Sequence, residues 1–273
     1  MSTNSNLRAL VDLRDRTLQK SRVAFGLRVG AVERGADTMN EAGLEIIQRW
    51  NDRFNALEEE ADKDIENMVK EIPIVEHMTD VKGIGKMLAA KVVSMIDIER
   101  ADTVSALWRY AGYGLGDYWQ DANGNIVSPV SGWKFKPAKK KGDKKERVFD
   151  TPEPEEGWTK VKVIDRPIAH WCLPYNSRLK TTLYLVATSF MRCGSPYRKI
   201  YDEAREADAK SEHPLKDGHA HNRALRKMIK VWLSHLWEHW RKMEGLPVRE
   251  IYVIEKLGHT HYTKPEDFGW RTL

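Results

Sequence analysis

Cysteine is almost missing from this sequence. Only Cys172 and Cys193 occur in 273 residues, too few for a disulfide framework or a four-cysteine zinc site, and a reducing, cytoplasmic setting is the expectation. Long apolar runs are missing as well. None approaches the roughly 18–20 residues of a membrane span, and the first ten residues carry no secretory apolar core. Self-similarity at solenoid spacing is absent. A large net charge is absent too, because 45 Lys and Arg stand against 40 Asp and Glu, a formal +5. Total charge therefore says little about partners, and its distribution has to carry that argument. What is present suffices for a core: 41% apolar residues can support one large or two ordinary domains.

The first stretch, residues 7–34, places Leu7, Leu10, Val11, Leu18, Phe25 and Val29 at helical spacing. Arg8, Arg14, Arg16, Lys20, Arg22 and Arg28 lie between them, either as the solvated side of an amphipathic helix or as an arginine stripe facing nucleic acid. A second helix is predicted from Thr38, since Thr38 and Glu41 have capping-box spacing. Ile47, Trp50, Phe54, Leu57, Ala61, Ile65, Met68 and Ile72 then step by three and four as a coiled-coil-type seam that stops at Pro73. Such a seam needs a partner helix. Either the first helix folds back on it or a second copy of the chain does, which makes a homo-oligomer through residues 47–72 the expected assembly.

"VKGIGKMLAAKV", residues 81–92, has the logic of a helix–hairpin–helix element. Gly83 and Gly85 permit a tight turn and close approach of a ligand to the backbone. Val81 and Ile84 would plug the space between the two helices, and Ala89 would let them approach. The amides at the start of the second helix would then face outward as an anion site, with Lys82, Lys86 and Lys91 as nearby cations. A hairpin of this kind reads phosphate backbone and not base edges. The bland alternative is a glycine-ended helix followed by an unrelated one.

Beyond the hairpin the composition shifts. Asn123, Gly124 and Asn125 mark a turn between aromatic and β-branched residues, which predicts a β-hairpin, and "WTKVKVID" reads as a short strand. Residues 134–147 hold eight basic residues against two acidic ones, a local excess of six. Lys139, Lys140, Lys141, Lys144 and Lys145 form its centre, either a solvated loop or a basic clamp adding counterion-release affinity. Trp119 and Trp133 beside it would stack on unpaired bases or fix the hairpin to the core. From Asn176 the chain turns helical again, and Leu225, Met228, Ile229, Trp232, Leu233, Leu236 and Trp240 make one apolar face. His235 and His239 stand four apart on that helix, and His219, His221, His259 and His261 come as H-x-H pairs. The surrounding tryptophans favour buried imidazoles over ligands, so neither metal nor cofactor is expected.

Two longer segments carry a family resemblance. "VKGIGKMLAAKVVSMIDIERADTVSALWRYAGYG" resembles the C-terminal domain of the IS-one-ten type of insertion-sequence transposases, RNA-guided recombinases with a "PGIGPxTAAxLLAEIGDxxRFxSxxxLxAYAGL" pattern. Gly83, Gly85, Ala89, Ile96, Asp97, Ser105, Leu107, Tyr110, Ala111 and Gly112 fall on it in register. "NSRLKTTLYLVATSFMRCGSPYRKIYDE" resembles that family's second helical segment through Asn176, Arg178, Leu179, Leu183, Tyr184, Ala187, Arg192, Pro196, Arg198 and Tyr201. Lys82 departs from the family's proline, and about two-thirds of the chain is covered.

The resemblance implies a mainly α fold: long coiled-coil-like N-terminal helices, then a helix–hairpin–helix domain with a small β-hairpin insertion. The expected divisions are residues 1–73, 74–118, 119–172 and 173–273. The family's RuvC-like nuclease domain, with four acidic metal ligands, has no counterpart before Leu44, so cleavage of that kind is not expected from this polypeptide alone. The family's DNA-linking serine points to Ser131 or Ser128, but the usual glycine-rich continuation is absent, and a serine in a hairpin turn is the favoured reading of both. The expected function is phosphate-backbone binding by a cytoplasmic, nucleoid-associated protein of a prokaryote, mobile element or phage, with DNA first and structured RNA second as ligand. Arg178 and Lys180 would extend the track. The alternative is a serine-dependent recombinase subunit acting with a separate nuclease chain.

Overall fold

The structure, a computed structural model, describes residues 3–136, 146–248 and 264–273. It is mainly α with a small antiparallel β region, as expected. The chain divides into two compact units, residues 1–97 with 269–272, and residues 98–268 with 273. The division falls inside the predicted 74–118 segment and not at Pro73. Its cause is packing: the hairpin helices join the N-terminal helices, while the helix after Thr103 packs on the long C-terminal helix.

In the first unit, α1 (Thr3–Leu13), a π-helical turn (Arg14–Leu18) and α2 (Gln19–Glu33) run as one interrupted rod, followed by α3 (Glu41–Val69). α3 does not begin at Thr38. Asn40, extended at ψ 161°, caps it by accepting from the Gly43 amide at 2.8 Å, in keeping with the ranking of asparagine above threonine as an N-cap. The seam finds its partner within the chain, because the rod folds back along α3. Leu7, Val11, Ala61 and Ile65 are buried, and Phe25 stacks on Phe54 at 5.4 Å.

The buried face of α3 is rotated from the predicted one. Trp50 and Leu57 remain exposed, while Glu58 is buried. Charge explains the rotation. Arg14 and Arg22 point inward, with Arg14 2.6 Å from Glu58 and 2.7 Å from Asp62, and Arg22 2.5 Å from Glu58. Two members of the predicted outward stripe thus hold the helices together, and removing both would strand the buried Glu58 carboxylate. The π turn inserts one extra residue per turn and shifts the phase of the rod where Arg14 turns inward.

α4 (Pro73–Asp80) opens with proline at its first turn, where a missing N–H costs nothing. After a short turn comes α5 (Lys86–Val93). The chain end returns to this unit: Arg271 donates to both carboxylate oxygens of Asp80 and to Glu76 at 3.0 Å.

The second unit begins with α6 (Val104–Tyr110), capped by the Thr103 hydroxyl. Strands β1 (Leu115–Gln120), β2 (Ile126–Pro129) and β5 (Thr159–Ile164) form an antiparallel sheet in the order β2-β1-β5. Strands β3 (Gly132–Phe135) and β4 (Arg147–Asp150) pair separately. The predicted turn joins β1 to β2: Asp121 Oδ1 accepts from the amides of Asn123 and Asn125 at 2.9 and 2.8 Å, and Gly124 takes φ +84°. The predicted strand "WTKVKVID" is β5, adding a third strand to that hairpin.

Helices α7 (Ser177–Cys193), α8 (Arg198–Ala209) and α9 (Asp217–Met243) complete the unit. Their core is the predicted apolar face of α9 (Met228, Ile229, Trp232, Leu233, Leu236) with Leu179, Leu183, Val186 and Phe190 of α7, all nearly inaccessible. Buried Arg241 donates to the carbonyls of Ile98 and Ala101 at 2.9 and 3.1 Å, and Trp237 donates to Ala101 at 2.6 Å. No helix among the described residues is long and apolar enough to cross a membrane.

Candidate nucleic-acid interface

The turn between α4 and α5 is built as its sequence predicts. Val81, Ile84 and Ala89 are buried, and the Ile84 amide donates to Val81 O at 3.0 Å, closing the hairpin. Gly83 takes φ +105°, a conformation that side chains rarely adopt. Gly85 is different. Its φ is −91° and its ψ 164°, ordinary extended values, and a Cβ there would meet nothing within 4 Å. The fold itself does not require glycine at 85; what glycine leaves is open backbone in front of α5.

α5 is uncapped by any side chain and has no acidic residue in its first turn. By helix geometry the amides of Lys86, Met87 and Leu88 lack an acceptor within the helix, and the partial positive charge there favours an anion. Lys82 is exposed. Lys86 is 55% exposed and meets Glu66 only at 3.6 Å, a weak surface pair. Lys91 does not join them. Its side chain is 13% exposed and lies 2.9 Å from Asp15, so it ties α5 to the N-terminal rod. Lys82, Gly83, Ile84, Gly85 and Lys86 therefore come together, and Lys91 is withdrawn.

In the second unit, Lys139, Lys140, Lys141, Lys144 and Lys145 lie outside the described residues. They belong to the connection between β3 and β4, whose base is closed by Lys136 and Glu146, 2.9 Å apart. At that base, Trp133 and Phe149 are each 54% exposed and meet edge to face at 5.5 Å. Trp119 is half-buried, so of the two predicted stacking residues Trp133 keeps an accessible ring.

The serines separate. Ser128 is buried in β2 opposite Trp119, and its Oγ has no hydrogen-bond partner among the described residues. Ser131 is exposed and lines a cavity of about 290 Å³ with Arg109, Arg166, Trp133, Trp171 and Cys172. Among the described residues, no histidine or carboxylate lines it to serve as a base. Nearby, the Tyr118 hydroxyl donates to buried Asp165 at 2.8 Å, with Arg109 Nε 3.8 Å from the other carboxylate oxygen. Burial first, then the hydrogen bond and charge of Asp165, pushes the Tyr118 phenol up to about 12.

Arg178 and Lys180 stand in the first turn of α7, which Asn176 caps by accepting from the amides of Arg178 and Leu179, both at 3.1 Å. Lys180 Nζ lies 4.4 Å over the Tyr175 ring. Sequence reasoning missed Arg226 and Lys230, which α9 brings to the same region. Their signal was spacing, since two basic residues four apart interrupt an otherwise apolar face.

The histidines pack and hydrogen-bond. His235 Nδ1 is 2.6 Å from the Tyr197 hydroxyl inside the helical core, and His221 Nδ1 is 2.7 Å from that of Tyr201. His259 and His261 lie outside the described residues. Among the described residues, no group of three or more His, Cys, Asp or Glu is placed to hold a metal ion. No family model matches the chain, and a search of curated proteins finds none that matches it.

Proposed function

We propose that this chain is a nucleic-acid-binding protein of transposase-like type that grips phosphate backbone through the turn at residues 81–86 and performs no strand chemistry on its own. The observation that carries this reading is Gly85: an unstrained glycine with open space before it, heading an uncapped helix between exposed Lys82 and Lys86. A phosphate oxygen approaching there meets amide donors, helix-terminal charge and two ammonium groups. Contacts of this type fix position without reading sequence, so affinity falls steeply with salt and varies little between sequences.

DNA is the first expected ligand and structured RNA the second. A panel of duplex, single-stranded and branched DNA and folded RNA, titrated at several salt concentrations, tests the reading. Binding of any of these that weakens in a Lys82→Glu/Lys86→Glu variant supports it, and unchanged affinity for all of them refutes it.

The cavity at Ser131 favours a second reading, a recombinase subunit whose serine Oγ attacks a phosphodiester neutralised by Arg109 and Arg166, forming a serine–phosphate ester as one P–O bond to sugar breaks and that strand end leaves as a hydroxyl. No histidine or carboxylate among the described residues lines the cavity, so the base would come from a partner chain, the substrate or a residue outside them. A covalent protein–DNA adduct lost in Ser131→Ala supports this reading, and its absence with a nuclease partner present removes it.

A further inference from the structure

Lys180, Arg226 and Lys230 are cations that two helices of the second unit supply. α9 carries Arg226 and Lys230 one turn apart, and α7 brings Lys180 from its first turn. All three are half-buried. Lys230 Nζ sits 3.9 Å over the Trp108 ring, whose indole N–H donates to the Lys230 carbonyl at 3.0 Å. Lys180 Nζ sits over Tyr175, and the Tyr113 hydroxyl donates to the Lys180 carbonyl at 3.4 Å. Gly112, at φ +78°, holds this floor tight, since a Cβ there would come within 2.8 Å of Tyr175 and 2.9 Å of Lys180.

No carboxylate among the described residues forms an ion pair with any of the three. The nearest acidic influence is Asp165, and that group is already taken by Tyr118 and faced by Arg109. Arg223 and Lys227, also on α9, are cationic, and Arg223 lies 3.5 Å from Asp208. Half-buried cations normally carry a counter-charge, because desolvating one is costly. Here they repel instead. Burial, then Arg226, lowers the proton affinity of both lysines, and burial lowers that of Arg226. An ion-pair network built for stability would contain its anions.

We propose that Lys180, Arg226 and Lys230, set on the floor of Trp108, Tyr113 and Tyr175, form a binding site for a phosphate group. Arg226 presents a planar fork to two oxygens, and the two lysines supply point charges at its flanks. The same chemistry fits a phosphodiester of a nucleic-acid backbone or a small free phosphate. The site belongs to the second unit and the hairpin to the first, and the proposal does not rest on the function proposed above.

The test uses the full chain and four variants: Arg226→Gln, Lys230→Met, the pair Arg226→Gln/Lys230→Met, and the hairpin variant Lys82→Glu/Lys86→Glu. Inorganic phosphate, pyrophosphate and a short oligonucleotide are titrated by calorimetry, with Lys180 and Lys230 followed by lysine side-chain NMR. Binding of at least one probe is expected to shift both lysine signals and to weaken tenfold or more in the paired variant. Loss confined to the oligonucleotide identifies a backbone site, whereas loss for phosphate or pyrophosphate identifies a small-anion site.

Thermal melts guard against simple misfolding. Removing a mutually repelling cation is expected to leave the melting temperature unchanged or raise it, and Lys230→Met keeps the packing on Trp108. Oligonucleotide binding lost in the hairpin variant but intact in the paired variant, with neither phosphate nor pyrophosphate bound, overturns this site and leaves the hairpin reading standing. The reverse pattern overturns the hairpin reading and leaves this site. A melting temperature lowered in every cation variant, with no probe bound by the wild type, assigns the cluster to structure and also refutes the proposal.

Discussion

Gly85 offers a substitution that separates stability from binding. Gly85→Asp places an acceptor at the N-cap of α5, where the backbone already has the extended conformation a cap requires (φ −91°, ψ 164°) and no side chain now serves. Aspartate exceeds glycine as a cap by a few tenths of a kcal/mol. Its charge at the helix start adds roughly 0.3–1 kcal/mol, and losing glycine's freedom in the unfolded chain adds about 0.4–1 kcal/mol. With open space before the Cβ nothing opposes these gains, so the first unit is expected to become more stable by about 1–2 kcal/mol, a rise of several degrees in melting temperature.

Binding is expected to move the other way. A carboxylate about 4 Å from a phosphate oxygen costs between roughly 1 kcal/mol in water and 4 kcal/mol near a protein surface, a loss of about five-fold to several-hundred-fold. Gly85→Asn is the control. It gives the cap and the bulk without the charge, so it should share the stabilisation and lose far less affinity. Calorimetric melts and mobility-shift titrations at two salt concentrations read both effects. An aspartate variant that is stabilised yet binds duplex within two-fold of wild type at low salt refutes the phosphate grip. One that is destabilised refutes the account of Gly85 as an unstrained position.

Lys86→Ala and Lys82→Ala should each reduce the slope of log affinity against log salt by about 1, since each phosphate contact releases close to one counterion, while Lys91→Ala should lower stability and leave the slope alone because Lys91 is spent on Asp15. Gly116→Ala should destabilise the second unit by more than an ordinary surface change, because its Cβ would lie 2.2 Å from Asp165 Oδ1 and 2.7 Å from the Tyr118 ring; an unchanged melt would contradict that packing. Tyr118→Phe removes the donor to buried Asp165 and should cost about 1–3 kcal/mol by denaturant titration. In the wild type the phenol is raised from 10.0 to about 12, so its contribution is complete below pH 10 and is lost as pH rises toward 12, because the unfolded chain ionises first; the phenylalanine variant should lack that alkaline component.

The features legible in the sequence are those whose cause is local. The hairpin is read from Val81, Gly83, Ile84 and Ala89 within nine residues, and the β1–β2 turn from Asn123, Gly124 and Asn125. The apolar face of α9 follows from spacing alone. What escaped has a distant cause. Arg14 and Arg22 look like members of a solvated stripe until Glu58 and Asp62, 36 to 48 residues away, are set beside them, and no helical period contains that pairing. The same inversion of charge explains why Trp50 and Leu57 stayed outside while Glu58 went in.

Lys91 and Lys230 show how far residue type alone misleads at the candidate sites. Lys91 sits beside the hairpin in sequence and is consumed by Asp15; Lys230 sits inside an apolar run and has no carboxylate partner among the described residues. A lysine's usefulness to an anion depends on whether the fold has already matched its charge, and that is decided by tertiary neighbours. Lys82 and Lys86 owe their place to an uncapped helix start, and Lys180, Arg226 and Lys230 to a missing counter-charge. The two sites therefore rest on independent physics, and failure of one leaves the other standing.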